Sequence, residues 1–282
     1  MGVLGFYQGK VIDVTQPVVP LEDRGHQFGD GVYEVVVSYR GKLFALQEHL
    51  ERLERSCREI RLTPIYSREE LFRICDLLIE KSQIAEAMIY MQWTRGIAPR
   101  SHSFPSNTQA EFSATIRPRK VLSPELFDQG VKSIFLPDER WLRCDIKSLN
   151  LLGSVLAKQK AVEAGCFEAI LIRDNKIVTE GSSCNCFAVQ DGCLVTSPAD
   201  NLILSGVTRN KVIQLARDLG YTVREEHVSP QFYQQAQEVF LTGTTIEVMP
   251  VTVLNGKPVY DGQVGPVTRR LQEAYFNFIG KV

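Results

Sequence analysis

Residues 168–196, EAILIRDNKIVTEGSSCNCFAVQDGCLVT, hold four short strand-like runs with almost no room for a helix between them. The runs are Glu168–Ile172, Lys176–Thr179, Cys186–Val189 and Cys193–Thr196. Asp174-Asn175 and Asp191-Gly192 separate two of the pairs, and both dipeptides carry turn chemistry. A parallel neighbour needs a crossover of about a dozen residues or more, whereas a hairpin needs only a turn. The spacing therefore predicts mixed or antiparallel sheets in a mixed α+β fold of the α/β class, not a doubly wound parallel sheet.

The same pattern extends outward. A strand is expected at Val131–Leu136, then a helix at Leu151–Ala164 stopped by Gly165 and another at Thr208–Leu219 stopped by Gly220. Asn255-Gly256 marks one more hairpin, and Val267–Ile279 reads as a last helix. In the first half, VYEVVVSY and KLFAL form a hairpin around Arg40-Gly41. Leu46, Leu50, Leu53, Cys57 and Ile60 follow at helical spacing. Ser67 with Glu70 three residues on is a capping box. MIYMQW and the segment from Phe112 to Ile116 read as strands. Arg117–Gly130 carries two prolines and many charges, so a small α+β domain is expected over 1–118, a linker over 119–130 and a larger domain over 131–282.

Composition narrows the class. The chain has 282 residues, 44% hydrophobic and 23% charged, which suits a large buried core. A net charge of -1 gives no electrostatic reason to expect nucleic acid or an anionic membrane as partner. Met1–Lys10 shows no basic stretch leading into an apolar run, and no apolar stretch is long enough to span a bilayer, so a cytoplasmic protein is expected. Seven scattered cysteines and four dispersed histidines suggest reduced thiols and no metal.

Two stations suit an anion. Gly206, Val207 and Thr208 lie where a helix begins, offering free N–H groups, the helix dipole and a hydroxyl. Gly243, Thr244 and Thr245 end a strand with small donors. Read alone, each is more often a plain cap or turn. Lys147, in WLRCDIKSLNLL, sits between a strand and a helix and is by itself indistinguishable from a solvated charge. A desolvated lysine, however, can form a Schiff base. Glu180, just after a strand, is either an exposed turn carboxylate or a partner for a cofactor's pyridinium nitrogen. Arg100 and His102, two apart in TRGIAPRSHSFP with Arg95, are a basic loop or a grip on one carboxylate. Tyr33, in GDGVYEVV, reads as a core tyrosine with its hydroxyl at the edge. Gly29-Asp30-Gly31 lacks the third glycine of a dinucleotide fingerprint.

These signals line up with one family. DRGHQFGDGVYEVV, HLERL, KSLNLLGSVLAKQKA, EGSSCN, the Ser205-Gly206-Val207-Thr208 turn and TGTTIE resemble, in order and separation, the fold-type IV (class IV) aminotransferases. TRGIAPRSHSFP and WLRCDIKSLNLL are similar to the D-amino-acid branch. The resemblance implies a two-domain enzyme with pyridoxal 5'-phosphate in the interdomain cleft, carried by Lys147 as a Schiff base. Glu180 would pair with the ring nitrogen. Arg52, the Gly206-Val207 turn, Thr208 and Thr244 would bind the phosphate. Leu204 would pack beside the cofactor, with Ser183 a polar neighbour. Tyr33, Arg100 and His102 match a carboxylate trap, the last two supplied by the second subunit of a homodimer. Cys184 and Cys186 depart from the Ser and Val types usual after Glu180.

The activity so implied is transamination between D-amino acids, D-alanine and D-glutamate foremost, and 2-oxo acids such as 2-oxoglutarate and pyruvate. Lys147 would be the general base. A branched-chain L-amino-acid aminotransferase is the nearest alternative, and aminodeoxychorismate lyase shares the lysine and the glutamate. A non-catalytic cofactor-binding protein is a third reading, disfavoured by retention of both residues.

Overall fold

A computed structural model describes residues 2–280. The described residues divide into two compact units, one made of residues 2–120 and Ile146–Asn150, the other of Val121–Asp145 and residues 151–280.

In the first unit the elements are β1 (Leu4–Tyr7), β2 (Lys10–Asp13), α1 (Arg24–Phe28), β3 (Gly31–Tyr39) and β4 (Lys42–Leu43). They are followed by α2 (Leu46–Glu59), α3 (Arg68–Ser82), β5 (Ala87–Thr94) and β6 (Glu111–Pro118). The six strands form one antiparallel sheet in the order β2-β1-β6-β5-β3-β4. Side chains alternate across a strand, so β5 sends Ala87, Ile89, Met91 and Trp93 into the core while Tyr90 and Gln92 stay half-buried on the other face. Leu46, Leu50, Leu53 and Cys57 of α2 close that core at the expected four- and three-residue spacing. Ser67 and Glu70 form the capping box reciprocally. The DRGHQFGDG segment is a folded corner. Asp23 caps α1 and accepts from Thr94 Oγ1 at 2.6 Å, Gly29 ends it at φ 65°, and Asp30 takes Arg24 and Arg95, each at 2.8 Å.

The second unit contains α4 (Pro124–Gln129), β7 (Val131–Pro137), α5 (Leu152–Glu163), β8 (Glu168–Arg173), β9 (Ile177–Gly181), β10 (Asn185–Gln190) and β11 (Cys193–Thr196). Then come α6 (Val207–Asp218), β12 (Thr222–Glu225), α7 (Pro230–Gln235), β13 (Glu238–Gly243), β14 (Glu247–Leu254), β15 (Lys257–Pro258) and α8 (Pro266–Ile279). Its sheet runs β12-β11-β10-β13-β14-β7-β8-β9, with β15 on β14. It is mixed: β11/β12, β14/β7 and β7/β8 are parallel and the remaining pairs antiparallel.

Two segments differ from the sequence expectation. Residues 124–129, expected within a linker, are the helix α4, whose Pro124 suits a first turn needing no N–H. Phe127 stacks edge-on against Phe276 at 5.5 Å, and Arg269 donates to the α4 carbonyls of Phe127 and Asp128. Residues 146–150, expected with the second half, belong to the first unit. Ser148 bridges to Val32, Leu149 N–H donates to Gly31 at 3.0 Å, and Ile146 joins the first core. All seven cysteines carry free thiols, Cys166 and Cys193 half-buried and the others buried. Among the described residues no group of side chains is arranged to hold a metal, and no helix is long and apolar enough to cross a membrane.

Candidate active site

Lys147 is held by its backbone. Tyr33 N–H donates to the Lys147 carbonyl at 2.9 Å and Lys147 N–H to Ser56 Oγ at 3.3 Å, which locks the residue beside the start of β3. Gly31 makes this approach feasible, since a Cβ there would sit 2.2 Å from the Trp93 carbonyl and 2.8 Å from Leu149 Cδ1. The ammonium lies 3.4 Å from the Tyr33 hydroxyl and 4.4 Å above its ring centroid, a cation–π geometry. Tyr33 in turn stacks on Tyr90, whose hydroxyl donates to Gln92 at 2.8 Å. The face of β3 and β5 opposite the core is thus an aromatic and polar floor for the amine.

Behind that strand, Glu34 points the other way and is wholly buried. Arg52 Nε reaches its Oε1 at 2.6 Å and Nη2 its Oε2 at 3.0 Å, while His49 Nδ1 lies 2.8 Å from Oε2. Burial pushes the Glu34 carboxyl up, but Arg52 and His49 overcome it and hold the group below the ordinary carboxylate range. Burial drives His49 downward, so the ring is neutral and donates through Nδ1 to Glu34. Arg52 is therefore fixed by a bidentate clamp that sequence reasoning missed, although Glu34 stands in GDGVYEVV and both His49 and Arg52 in HLERL.

In the second unit Glu180 is buried near the end of β9. Arg140 Nη1 donates to Oε1 at 2.6 Å, Asn185 Nδ2 to Oε2 at 2.9 Å, and Leu204 N–H reaches both oxygens at 3.2 and 3.3 Å. Asn185 also donates to the Leu204 carbonyl at 2.8 Å. Leu204 thus bears on the site through its backbone. Burial raises Glu180 above the ordinary carboxylate range despite Arg140. Neither Arg140 nor Asn185 stood out in the sequence.

Gly206 is the N-cap of α6, whose first turn from Val207 and Thr208 carries no acidic side chain. A Cβ at Gly206 would lie 2.1 Å from Asn185 Oδ1, so glycine is required for the Glu180 partner to keep its place. Thr208 is buried; Thr244 is half-buried in the turn between β13 and β14. The Ser183 hydroxyl donates to Glu168 at 3.1 Å, beside Lys158 Nζ at 3.2 Å, and Ser182 also donates to Glu168.

Arg100 and His102 are exposed and meet around Phe28, the guanidinium 4.3 Å above that ring and the imidazole ring 5.4 Å from it. Arg95 is apart from them. It is buried, donates to the carbonyls of Ile60 and Arg61 and stacks on Phe104 at 3.7 Å, so it braces the loop.

The first unit thus offers an amine and a clamped guanidinium, the second a buried carboxylate and a bare helix N-terminus. Groups of these kinds suit an anionic, ring-bearing carbonyl compound. Comparison with known proteins agrees. Residues 31–254 match the profile of amino-transferase class IV. A D-alanine aminotransferase of Staphylococcus aureus is 44% identical over 275 residues, covering 97% of either chain. One from Bacillus licheniformis is 44% identical over 274 residues, covering 97% of this chain and 96% of that protein. Among solved structures, the branched-chain amino acid aminotransferase of Escherichia coli superposes with a TM-score of 0.89 at 28% identity, covering 99% of this chain and 95% of that one. The T.th. branched-chain enzyme complexed with N-(5'-phosphopyridoxyl)-L-glutamate gives 0.90 at 26% identity, covering 100% and 95%.

Proposed function

Because this chain belongs to the class IV aminotransferases, we propose that it moves amino groups between D-amino acids and 2-oxo acids, with Lys147 as the catalytic base. The cofactor is pyridoxal 5'-phosphate, and the donor set fits it. Lys147 offers an amine to the aldehyde and Glu180 a carboxylate to the ring nitrogen. Arg52, Thr208, Thr244 and the α6 N-terminus, free of carboxylates in its first turn, suit the phosphate. Gly206 lets α6 start against Asn185, where a Cβ would strike the Asn185 Oδ1.

When bound, the cofactor supplies a carbonyl carbon that condenses with amines and a ring that takes up the electron pair left at Cα. The chain does the rest. Lys147 Nζ removes the substrate Cα proton and delivers one back on the return, while the nearby Tyr33 hydroxyl keeps the amine aimed. Glu180, oriented by Arg140, Asn185 and the Leu204 N–H, balances a proton on the ring nitrogen. Leu204 would pack beside the ring of the bound cofactor, and Ser183, which donates to Glu168, would be a polar neighbour.

Tyr33, Arg100 and His102 hold the substrate carboxylate, and the side on which they hold it turns the α-proton of a D-amino acid toward Lys147. Arg100 and His102 come from a second copy of the chain. What supports a second copy is an exposed apolar face on α5, where Leu152 is 71% and Val155 57% exposed. The seven free thiols fit the reducing cytoplasm in which this reading places the enzyme.

The observation that carries the D-specific reading is full-length similarity to D-alanine aminotransferases together with an Arg100–His102 pair converging on Phe28. Branched-chain L-specific activity is the second reading, favoured by the structural neighbours. A panel of D- and L-amino acids with 2-oxoglutarate separates them through half-reaction absorbance. Transfer from D-alanine and D-glutamate is expected; transfer from L-leucine with none from D-alanine would sink the D-specific reading.

A further inference from the structure

Glu180 is one member of a buried row of alternating charge. Arg140 Nη1 donates to Glu180 at 2.6 Å, and its Nε and Nη2 each reach Asp138 at 2.9 Å. Arg173 Nη2 lies 3.1 Å from Asp138 on the far side. Thr179, next to Glu180 on β9, donates to Asp138 at 2.8 Å, so strand and loop are joined at two adjacent residues. The Asp138 side chain is 0% exposed and those of Glu180 and Arg140 are 6% and 11% exposed. A guanidinium forked between two carboxylates at such depth has a fixed plane, and its field is weakly screened.

We propose that Arg140 and Asp138 are positioning residues that act through Glu180, fixing its plane and setting its affinity for a proton with opposite signs. The proposal rests on the reading of Glu180 as the partner of the ring nitrogen. A carboxylate with that task must stay ionised in a site whose burial opposes ionisation. Arg140 supplies the compensating cation. Asp138 tempers it, so the carboxylate keeps enough basicity to hold a proton shared with the ring.

The other titratable groups around Glu180 do not compete. Cys144 on the same loop is pushed by burial to about 11, Cys186 on β10 to about 12, and Cys184 well above the usual thiol value, so all three stay neutral. Arg173 of β8 faces Asp138, and Arg209 of α6 acts on Cys186. Two charges therefore dominate, and their removal should act in opposite directions.

The test follows the Glu180 carboxyl in the cofactor-free full-length chain by ¹³C labelling, with Glu180→Gln to assign the signal. Arg140→Met should raise its titration by about one pH unit or more. Asp138→Asn should lower it, and Arg140→Lys should return it toward the wild type. Shifts of the same sign in the Met and Asn variants, or none, would overturn the proposal, because a merely structural role has no reason to give opposite signs. Should Arg140→Met fail to fold, the sign in Asp138→Asn decides. In the holoenzyme the pH profile of cofactor absorbance should move oppositely in the same two variants. If the cofactor-free titrations behave as expected but Glu180→Gln leaves that profile unchanged, the charge row stands and the assignment of Glu180 to the ring nitrogen fails.

Discussion

Gly206 has a neighbour that a methyl group would strike. Its Cβ would stand 2.1 Å from Asn185 Oδ1, and Asn185 holds both Glu180 and the Leu204 carbonyl. Gly206→Ala must therefore displace Asn185 or tilt the start of α6. The expected cost is about 1–3 kcal/mol of stability, together with weaker cofactor retention, measurable as a lower melting temperature and faster release on dilution. Unchanged values for both would show that Asn185 moves freely. Glu34 gives a pH prediction. Its folded carboxyl titrates below the ordinary range, whereas in the unfolded chain it titrates near about 4.3. Between those values the unfolded chain binds more protons, so Glu34 stabilises the fold fully above about pH 4.3 and progressively less as pH falls. His49, held neutral, adds to the loss, since its unfolded form gains a proton below about pH 6.5. Glu34→Gln should lower stability at neutral pH by about 3–5 kcal/mol, because it unpairs Arg52. It should also flatten the acid limb of a melting-temperature profile. A parallel, undiminished acid limb would refute the assignment.

Elements were legible where the cause is local. The α2 register follows from Leu46, Leu50, Leu53 and Cys57 alone, and the α3 start from Ser67 and Glu70. Ser67→Ala should cost about 1 kcal/mol, since the Glu70 N–H loses its hydroxyl acceptor while the residue-67 N–H keeps the Glu70 carboxylate, and chemical denaturation reads the loss directly. A value near zero would mean the tertiary contacts of α3 position it without the cap. Turns told the same story: Arg40-Gly41, Asp191-Gly192 and Asn255-Gly256 each put both residues at positive φ between paired strands. Gln8-Gly9 does so too, but β1 and β2 are only four residues each, too short to carry a period. β12 and α7 escaped for a similar reason, as their brief runs are set by neighbours in the sheet and core. Site residues split the same way. Lys147, Glu180 and Thr208 stand in local motifs. Glu34 with His49, Arg140 with Glu180, and Asp138 with Thr179 become partners only when distant segments fold together.

At the scale of the whole molecule, the proposed carboxylate trap turns on which chain would supply Arg100 and His102. Both are exposed around Phe28, and the apolar face of α5 is uncovered as well. In α5 only Ala157 and Ala161 turn inward, onto Ala169 and Leu171, which leaves Leu152, Val155, Leu156 and Val162 to solvent. If a twofold dimer covers such a face and carries Arg100 across, a site needs Lys147 from one copy and Arg100 from the other. Lys147→Ala and Arg100→Ala would then be complementary defects. Dissociated and reassociated in equal amounts, the two variants form mixed dimers in which one site pairs intact Lys147 with intact Arg100. Random pairing makes about half the dimers mixed, so about a quarter of wild-type activity per protomer should return. With Arg100 acting inside its own chain, every mixed site would keep one defect and mixing would restore nothing. Activity after reassociation, set against the sum of the separate variants, decides between the two arrangements.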